Sequence, residues 1–437
     1  MAAIEAKIPG YYTTNLGDTK SYDEWGTDTV PLQSDQLSYA LGKKGSTRRK
    51  LARASGSILE YVGSVAFLAG TLQARRRGRE YLRWLCDQIC CKTGRISIDP
   101  TQRDDVTLVP VPKDCIGYVM GDKRNTLSRL EEDWDTLIFF VDSRSLPTYQ
   151  DVEGLAIFGA ERGRAGTELK VMGAVETKLP QFFTKGVGDF HYPHEWGVDT
   201  LPLGNEELSF ALGKDGSTRR KLARASGCIL EYVGNVAYMA GTIPERRRAR
   251  DYLNWLMKQR TGPILVDTAE RTDIAIVEIP EEMKGMTKAA ALRDVERETG
   301  TFCFFQGDNS TSNALLVCGH RPEDRAHAEQ ILQDILVRGA SRPKSRRRVV
   351  TSNVEHSMPA PPPPPAAKAS APHSSEDSES SSETGSESDY SSQSFDEPHS
   401  APTMHQPKST AFAASRIRQW ASEESNCESD EEIVPYW

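Results

Sequence analysis

The 437-residue sequence predicts an α+β protein, a tandem array of β-α-α-β-β-α modules followed by a disordered acidic tail. Three observations carry that reading. Residues 24–85 align without gaps on residues 195–256 at an offset of 171, with 44 of 62 positions identical, so half of the body is a copy of the other half. Each copy holds a Gly-x-x-Gly loop that opens a helix. Beyond Thr351 the composition changes to Pro, Ser and acid, with too few apolar residues to offset the entropy of ordering.

In the first copy, residues 28–32 read as a strand and 34–41 as a short helix. Gly42-Lys43-Lys44-Gly45 forms a tight loop. Ser46 caps a second helix over 47–54, and Gly56 sits just past its end. Residues 58–62 and 65–68 are rich in apolar, β-branched and aromatic residues, and Gly63-Ser64 turns between them. Residues 73–88 have helical periodicity, with Tyr81, Leu82, Leu85 and Ile89 on one side. The second copy follows the same order around Gly213-Lys214-Asp215-Gly216.

The loop, the helix behind it, and Ser55-Gly56 or Ser226-Gly227 before an Ile-Leu-Glu strand resemble the eukaryotic (type I) KH domain. Arg48 and Arg219 depart from that pattern, which usually has an apolar residue there. Two weaker relatives complete the array. Val109–Gly117 with Gly121-Asp122-Lys123-Arg124 has Arg in place of the second loop glycine. Residues 274–336 have the helix end at Gly300 and the strand at 302–305, with a loop near Gly285-Met286-Thr287-Lys288 that has no second glycine. The division is therefore an N-terminal segment (1–24), module 1 (25–93, intact loop), module 2 (104–178, degenerate loop), a linker (179–195), module 3 (196–262, intact loop), module 4 (272–338, degenerate loop) and a tail (339–437).

The resemblance implies single-stranded RNA as the partner. Backbone N–H groups of a glycine loop at a helix N-terminus make a seat for phosphate. The site residues it implies are Gly42, Lys43, Lys44, Gly45, Arg48 and Arg49 in module 1. In module 3 they are Gly213, Lys214, Asp215, Gly216, Arg219 and Arg220. Lysines follow phosphates, arginines reach phosphates or stack on bases, and Asp215 weakens the third module. By analogy Ile58 and Glu60, or Ile229 and Glu231, line the edge that reads bases. The expected role is post-transcriptional regulation. Single-stranded DNA is an alternative ligand, and a protein-interaction scaffold is an alternative function.

The net charge of −8 is unevenly spread, with −11 after Thr351 and +3 before it. A basic body with an acidic tail suits a nucleic-acid partner, and equally an ordinary domain with a solubilising tail. Arg75-Arg76-Arg77 with Arg79, repeated as Arg246-Arg247-Arg248 with Arg250, is expected to be a solvated helix face. Trp25, Trp84, Trp196 and Trp255 are expected in cores or between modules. Cys86, Cys90 and Cys91 have no zinc spacing, and Met257, Thr261 and Gly262 replace them in the repeat, so neither metal nor cofactor is expected. His191 and His194 have no Cys partner nearby. No nucleotide-binding loop, nucleophile elbow or metalloprotease motif is present, so no enzyme is expected. No apolar run is long enough to span a membrane, and the N-terminus lacks signal-peptide features, so a cytoplasmic or nuclear location is expected.

In the tail, Arg342, Lys344 and Arg346-Arg347-Arg348 suit a nuclear signal, an RNA contact or a plain linker. Residues 359–365 form a polyproline stretch suited to a spacer or a protein partner. Residues 374–394 suit an acid-directed kinase. Ala413, Ile417, Trp420 and Ala421 fall at i, i+4, i+7 and i+8, the pattern of a recognition helix or of a weakly helical stretch.

Overall fold

The computed structural model describes residues 1–90, 95–141, 151–285, 287, 289–307 and 312–340. The tail features from Arg342 onward lie outside them. A one-turn helix, α1 (Ala2–Glu5), comes first. Module 1 is β1 (Trp25–Pro31), α2 (Ser34–Leu41), α3 (Ser46–Ser55), β2 (Ile58–Val62), β3 (Val65–Thr71) and α4 (Leu72–Cys90). A short strand, β4 (Arg95–Ile96), leads into module 2. That module is β5 (Val106–Pro112), α5 (Lys113–Met120), α6 (Asn125–Trp134), β6 (Leu137–Val141), β7 (Val152–Phe158) and α7 (Glu161–Lys178). Module 3 is β8 (Trp196–Pro202), α8 (Asn205–Leu212), α9 (Ser217–Ser226), β9 (Ile229–Val233), β10 (Val236–Thr242) and α10 (Ile243–Lys258). Module 4 is β11 (Ile274–Glu278), α11 (Ala289–Thr299), β12 (Phe302–Phe305), β13 (Ala314–Cys318) and α12 (Pro322–Ala340), with a single 3-10 turn, Glu281–Met283, before α11.

Every module pairs its last strand with both others in an antiparallel sheet: β1-β3-β2, β7 between β6 and β5, β8-β10-β9 and β11-β13-β12. The strand period of two assigns the faces. In module 1, Leu59, Ala66 and Leu68 point into the core beneath the helices, while Ile58, Glu60, Phe67 and Ala69 point the other way. The fold is the α+β, KH-like array that the sequence predicts.

The modules fuse because the long final helix of each also covers the outer sheet face of the next. Tyr81 and Trp84 of α4 lie 5.2 and 5.0 Å from Phe158 of module 2. Tyr252 and Trp255 of α10 repeat this against Phe302 (5.9 Å) and Phe304 (5.7 Å) of module 4. Between them, Leu169 and Met172 of α7 share a core with Ile229, Val236 and Tyr238 of module 3. Buried polar groups seal two joints: Tyr81 donates to Asp105 and Tyr252 to Asp273, each at 2.7 Å. Trp84 and Trp255 thus pack between modules as expected, but Trp25 is 64% exposed.

The arginine run is a solvated face only in part: Arg76 and Arg247 are exposed, but the first arginine of each copy is not. Arg75 and Arg246 are 0% and 2% exposed. Arg75 pairs with Asp28 at 3.0 Å and also donates to the carbonyls of Ser21 and Asp23. Arg246 does the same with Asp199 (2.8 Å), Tyr192 and His194. A buried charge needs such a complete set of partners, and each guanidinium thereby pins the segment before its module to the last helix.

That segment is itself repeated. Glu5 accepts N–H bonds from Gly10 (2.7 Å) and Tyr12 (2.8 Å). Glu176 accepts them from Gln181 (2.5 Å) and Phe183 (2.9 Å). The N-terminal segment and the 179–195 linker are therefore two copies of one turn, and α1 stands at the position of the last turn of α7.

Candidate nucleic-acid interface

Gly42 has φ 67° and ψ 174°. A Cβ there would lie 2.2 Å from Thr47 Oγ1 and 2.9 Å from Thr47 N, so no other residue fits. Lys44 (φ 52°) and Gly45 (φ 72°) are left-handed, and Gly45 begins α3 with no side-chain cap on the helix amides. Ser46 N–H donates to the Lys43 carbonyl, and no side chain caps the next amides of the first turn, beside which Lys43 and Lys44 are exposed. Gly213, Asp215 (φ 52°) and Gly216 (φ 72°) repeat this backbone before α9, with Lys214 and Asp215 exposed.

Module 2 holds the same backbone path despite its sequence. Gly121 has φ 70°, Lys123 φ 48° and Arg124 φ 65°. The second glycine is replaceable because a Cβ at Gly45 would meet nothing closer than Arg49 Nη1 at 3.6 Å; only the positive φ is costly. Arg124 reaches back to Glu131 (2.8 and 3.0 Å) and to the Ile138 carbonyl (2.6 Å), which hold it there. In module 4 half of the predicted loop, Met286 and Lys288, lies outside the described residues.

The predicted arginines divide. Arg49 donates to the Lys44 carbonyl at 2.9 Å and Arg220 to the Asp215 carbonyl at 2.7 Å, so both brace the loop while staying exposed. Arg48 and Arg219 do not extend toward phosphates. Arg48 donates to the Leu59 carbonyl (2.8 Å) and to Glu60 (2.5 Å) on the edge strand β2. Arg219 does the same with the Leu230 carbonyl (2.8 Å) and Glu231 (2.5 Å) on β9. This bridge explains the departure from the apolar pattern: a guanidinium ties the helix to the strand edge. The two copies of the expected reading edge differ in exposure. Ile58 and Glu60 are exposed, but Ile229 and Glu231 are buried beneath α7.

The second edge strand ends its sheet in modules 1, 3 and 4 and is covered by another strand only in module 2. β2 and β9 end their sheets. In module 2 the matching strand β6 is covered by β4, with Arg95 opposite Phe140 and Ile96 opposite Val141. In module 4, Ile264 bridges to Gly307 just beyond β12.

Sequence reasoning missed the charged clefts beside the loops. Lys50 on α3 pairs with Glu131 at 3.0 Å and Arg53 with Asp135 at 2.8 Å, so the cleft between α3 and α6 is charge-balanced. Lys221 on α9 pairs with Glu296 at 2.9 Å, whose carboxyl burial holds above its ordinary range against the pull of Lys221. Arg220, Arg224, Arg293 and Arg297 line the rest of that cleft; Arg297 pairs with Asp294 at 2.7 Å, and the cleft keeps an excess of positive charge. Arg293 and Arg297, one turn apart, were the available signal. Among the described residues no group of His, Cys, Asp or Glu could hold a metal ion, and no helix is long and apolar enough to cross a membrane.

No protein-family model matches the chain, and no curated protein does. Among solved structures it is similar to Dim2p from Pyrococcus horikoshii OT3, at 15% identity over 35% of this chain and 90% of that one, with a TM-score of 0.21. It is similar to a chain of the a/eIF2alpha-aDim2p-rRNA complex from the same organism, at 13% identity over 36% and 94%, with a TM-score of 0.20. It is also similar to a structure described as KH domains, at 12% identity over 54% and 66%, with a TM-score of 0.12. The fold assignment rests on the element order and strand pairing above.

Proposed function

We propose that the chain binds single-stranded RNA through the loops of modules 1 and 3, in the manner of eukaryotic (type I) KH domains, as a post-transcriptional regulator without chemistry of its own. The observation that carries the reading is the start of α3 and of α9, which no side chain caps, behind a glycine loop with exposed lysine and the same backbone in both. Such a terminus favours an anion through its free N–H groups and the helix dipole. A chain with phosphates at regular spacing can then pass over the loop toward the open strand edge, with Arg49 or Arg220 flanking it. Single-stranded DNA offers the same phosphates, and only contacts to the 2′-hydroxyl distinguish the two.

The covered edge of module 2 favours a second role for that module within the same protein. It acts as a scaffold that fixes the spacing of the two binding loops. Protein partners for the tail and a cytoplasmic or nuclear location belong to the same proposal. The test is binding of randomised RNA and DNA pools to the full chain and to Lys43→Asp/Lys44→Asp. Enrichment of RNA that is lost in the variant supports the reading. Equal retention by the variant rejects the loop as the site.

A further inference from the structure

The outer sheet face of module 3 is a finished interface. Helix α7 lies across it, with Leu169 and Met172 in the shared core. Lys170 meets Glu231 at 2.7 Å, so Glu231 holds two cations, Lys170 from the covering helix and Arg219 from its own module. Module 1 has the same face built from the same residue types, and among the described residues only α1 stands where α7 would lie. Its Ile58 is 59% exposed, whereas the equivalent Ile229 is 5% exposed. Phe67 is half-buried where Tyr238 is buried. Glu60 keeps Arg48 and, among the described residues, has no counterpart of Lys170.

The chain carries a segment that matches the missing cover. In α7 the face toward module 3 is written Ala165, Leu169, Lys170, Met172. The same spacing recurs in the tail as Ala413, Ile417, Arg418, Trp420. Residues 409–421 contain two arginines and no acid, inside a tail that is otherwise strongly acidic. Thirteen residues form a helix of about 20 Å, long enough to cross a three-stranded sheet at roughly 4.8 Å per strand. The intervening residues 341–408 have a contour of up to roughly 3.3 Å per residue, long enough for the segment to reach that face. Tethering then places the segment near the face at an effective concentration of about a millimolar.

We propose that residues 409–421 fold as a helix on the outer sheet face of module 1, with Ile417 and Trp420 over Ile58 and Phe67 and Arg418 on Glu60. The tail thereby supplies module 1 with the cover that α7 supplies to module 3. The docking surface lies on the sheet face opposite the helices and does not depend on RNA binding.

The test is photo-crosslinking in the full chain with benzoylphenylalanine in place of Trp420, using a mixture of light and heavy-isotope copies mapped by mass spectrometry. The expected result is crosslinks to β1, β2 or β3 within one copy. The yield should fall at least fivefold in Ile58→Asp, whose side chain is exposed and whose fold is retained. It should fall about threefold in Glu60→Arg and recover when Arg418→Glu is added. Crosslinks to modules 2–4, mixed-isotope crosslinks between copies, or a yield indifferent to Ile58→Asp would each overturn the proposal.

Discussion

Modules 1 and 3 are nearly the same sequence in two different settings. Gly45–Gly56 and Gly216–Gly227 are identical, their loops superpose in backbone angle, and Arg75 and Arg246 are buried on matching partners. Yet Ile58 faces solvent and Ile229 is enclosed. The charge beside α3 is cancelled by Glu131 and Glu132, whereas beside α9 it is reinforced by Arg293, with Arg297 paired to Asp294. Local sequence thus sets the loop and the internal ion pairs, while neighbours set the outer sheet face and the field around the site. The differences between the copies come from modules 2 and 4, which are not repeats of one another at these positions.

The strongest way to break this comparison is to place a charge on the shared face. Ile229→Asp should destabilise the protein by about 3–4 kcal/mol, because the carboxylate is forced beneath α7 without a partner. Ile58→Asp should cost no more than about 1 kcal/mol. Chemical denaturation midpoints of the two variants check this. Equal losses would mean that module 1 is covered as firmly as module 3.

Next come the acids behind the two basic helices. Glu131 accepts from Lys50, twice from Arg124 and from the Ile138 N–H, so Glu131→Ala leaves two cations and an amide facing each other. Its cost should be roughly 2–3 kcal/mol, below the full penalty for a wholly buried pair because Lys50 and Arg124 are partly exposed. Glu296 accepts from one cation, Lys221, and from the Cys303 N–H, with Arg293 a second cation nearby, and burial already raises its carboxyl pKa. Glu296→Ala should therefore cost less, about 1–2 kcal/mol. The same denaturation experiment ranks them, and the reverse order would contradict the partner lists.

The loops separate the copies in function. Lys43→Asp with Lys44→Asp should weaken RNA binding by roughly tenfold or more through lost phosphate contacts, with the circular dichroism unchanged. Lys214→Asp should cost less, since Asp215 already opposes a phosphate there. Fluorescence anisotropy with a labelled single strand measures both, and a larger loss for Lys214→Asp would reverse the assigned order of the sites.

How much of this was legible follows from the range of each cause. The two glycine loops, the helix ends at Gly56 and Gly227 and the strands at Ile58–Val62 and Ile229–Val233 follow from local turn chemistry and period. The fate of Arg75 was not legible, because its partners Asp28, Ser21 and Asp23 come from a segment about fifty residues upstream. Arg48 was misread for a related reason. A resemblance fixes its position three residues after the loop, but the Leu59 carbonyl that claims it is visible only once β2 is placed at the sheet edge. The retained loop of module 2 was hidden by Arg124, a residue that seldom takes a positive φ and does so here with Glu131 holding it. The burial of Ile229 under α7 needed the order of packing between modules, which no single-module pattern contains.

The smallest expected effect tests setting against sequence most directly. Asp215→Lys gives module 3 the loop Gly-Lys-Lys-Gly, after which the two sites share one sequence from Gly213 through Gly227, as module 1 has it from Gly42 through Gly56. The backbone should be unchanged, since Asp215 and Lys44 already share φ 52°. RNA affinity should rise about threefold, and the slope of log K against log salt should steepen by about 0.7, the increment for one added phosphate contact on a single strand. If loop sequence alone governed binding, module 3 would then only equal module 1. The cleft argues for more. Arg224, Arg293 and Arg297 stand beside α9 with Glu296 and the Arg297 partner Asp294 as the acids among them, where Glu131 and Glu132 stand beside α3. With module 1 silenced by Lys43→Asp/Lys44→Asp, the chain carrying Asp215→Lys should bind RNA more tightly than a chain in which Lys214→Asp silences module 3. A titration at two salt concentrations that found the two chains equal would show that the cleft contributes nothing and that the loops alone decide.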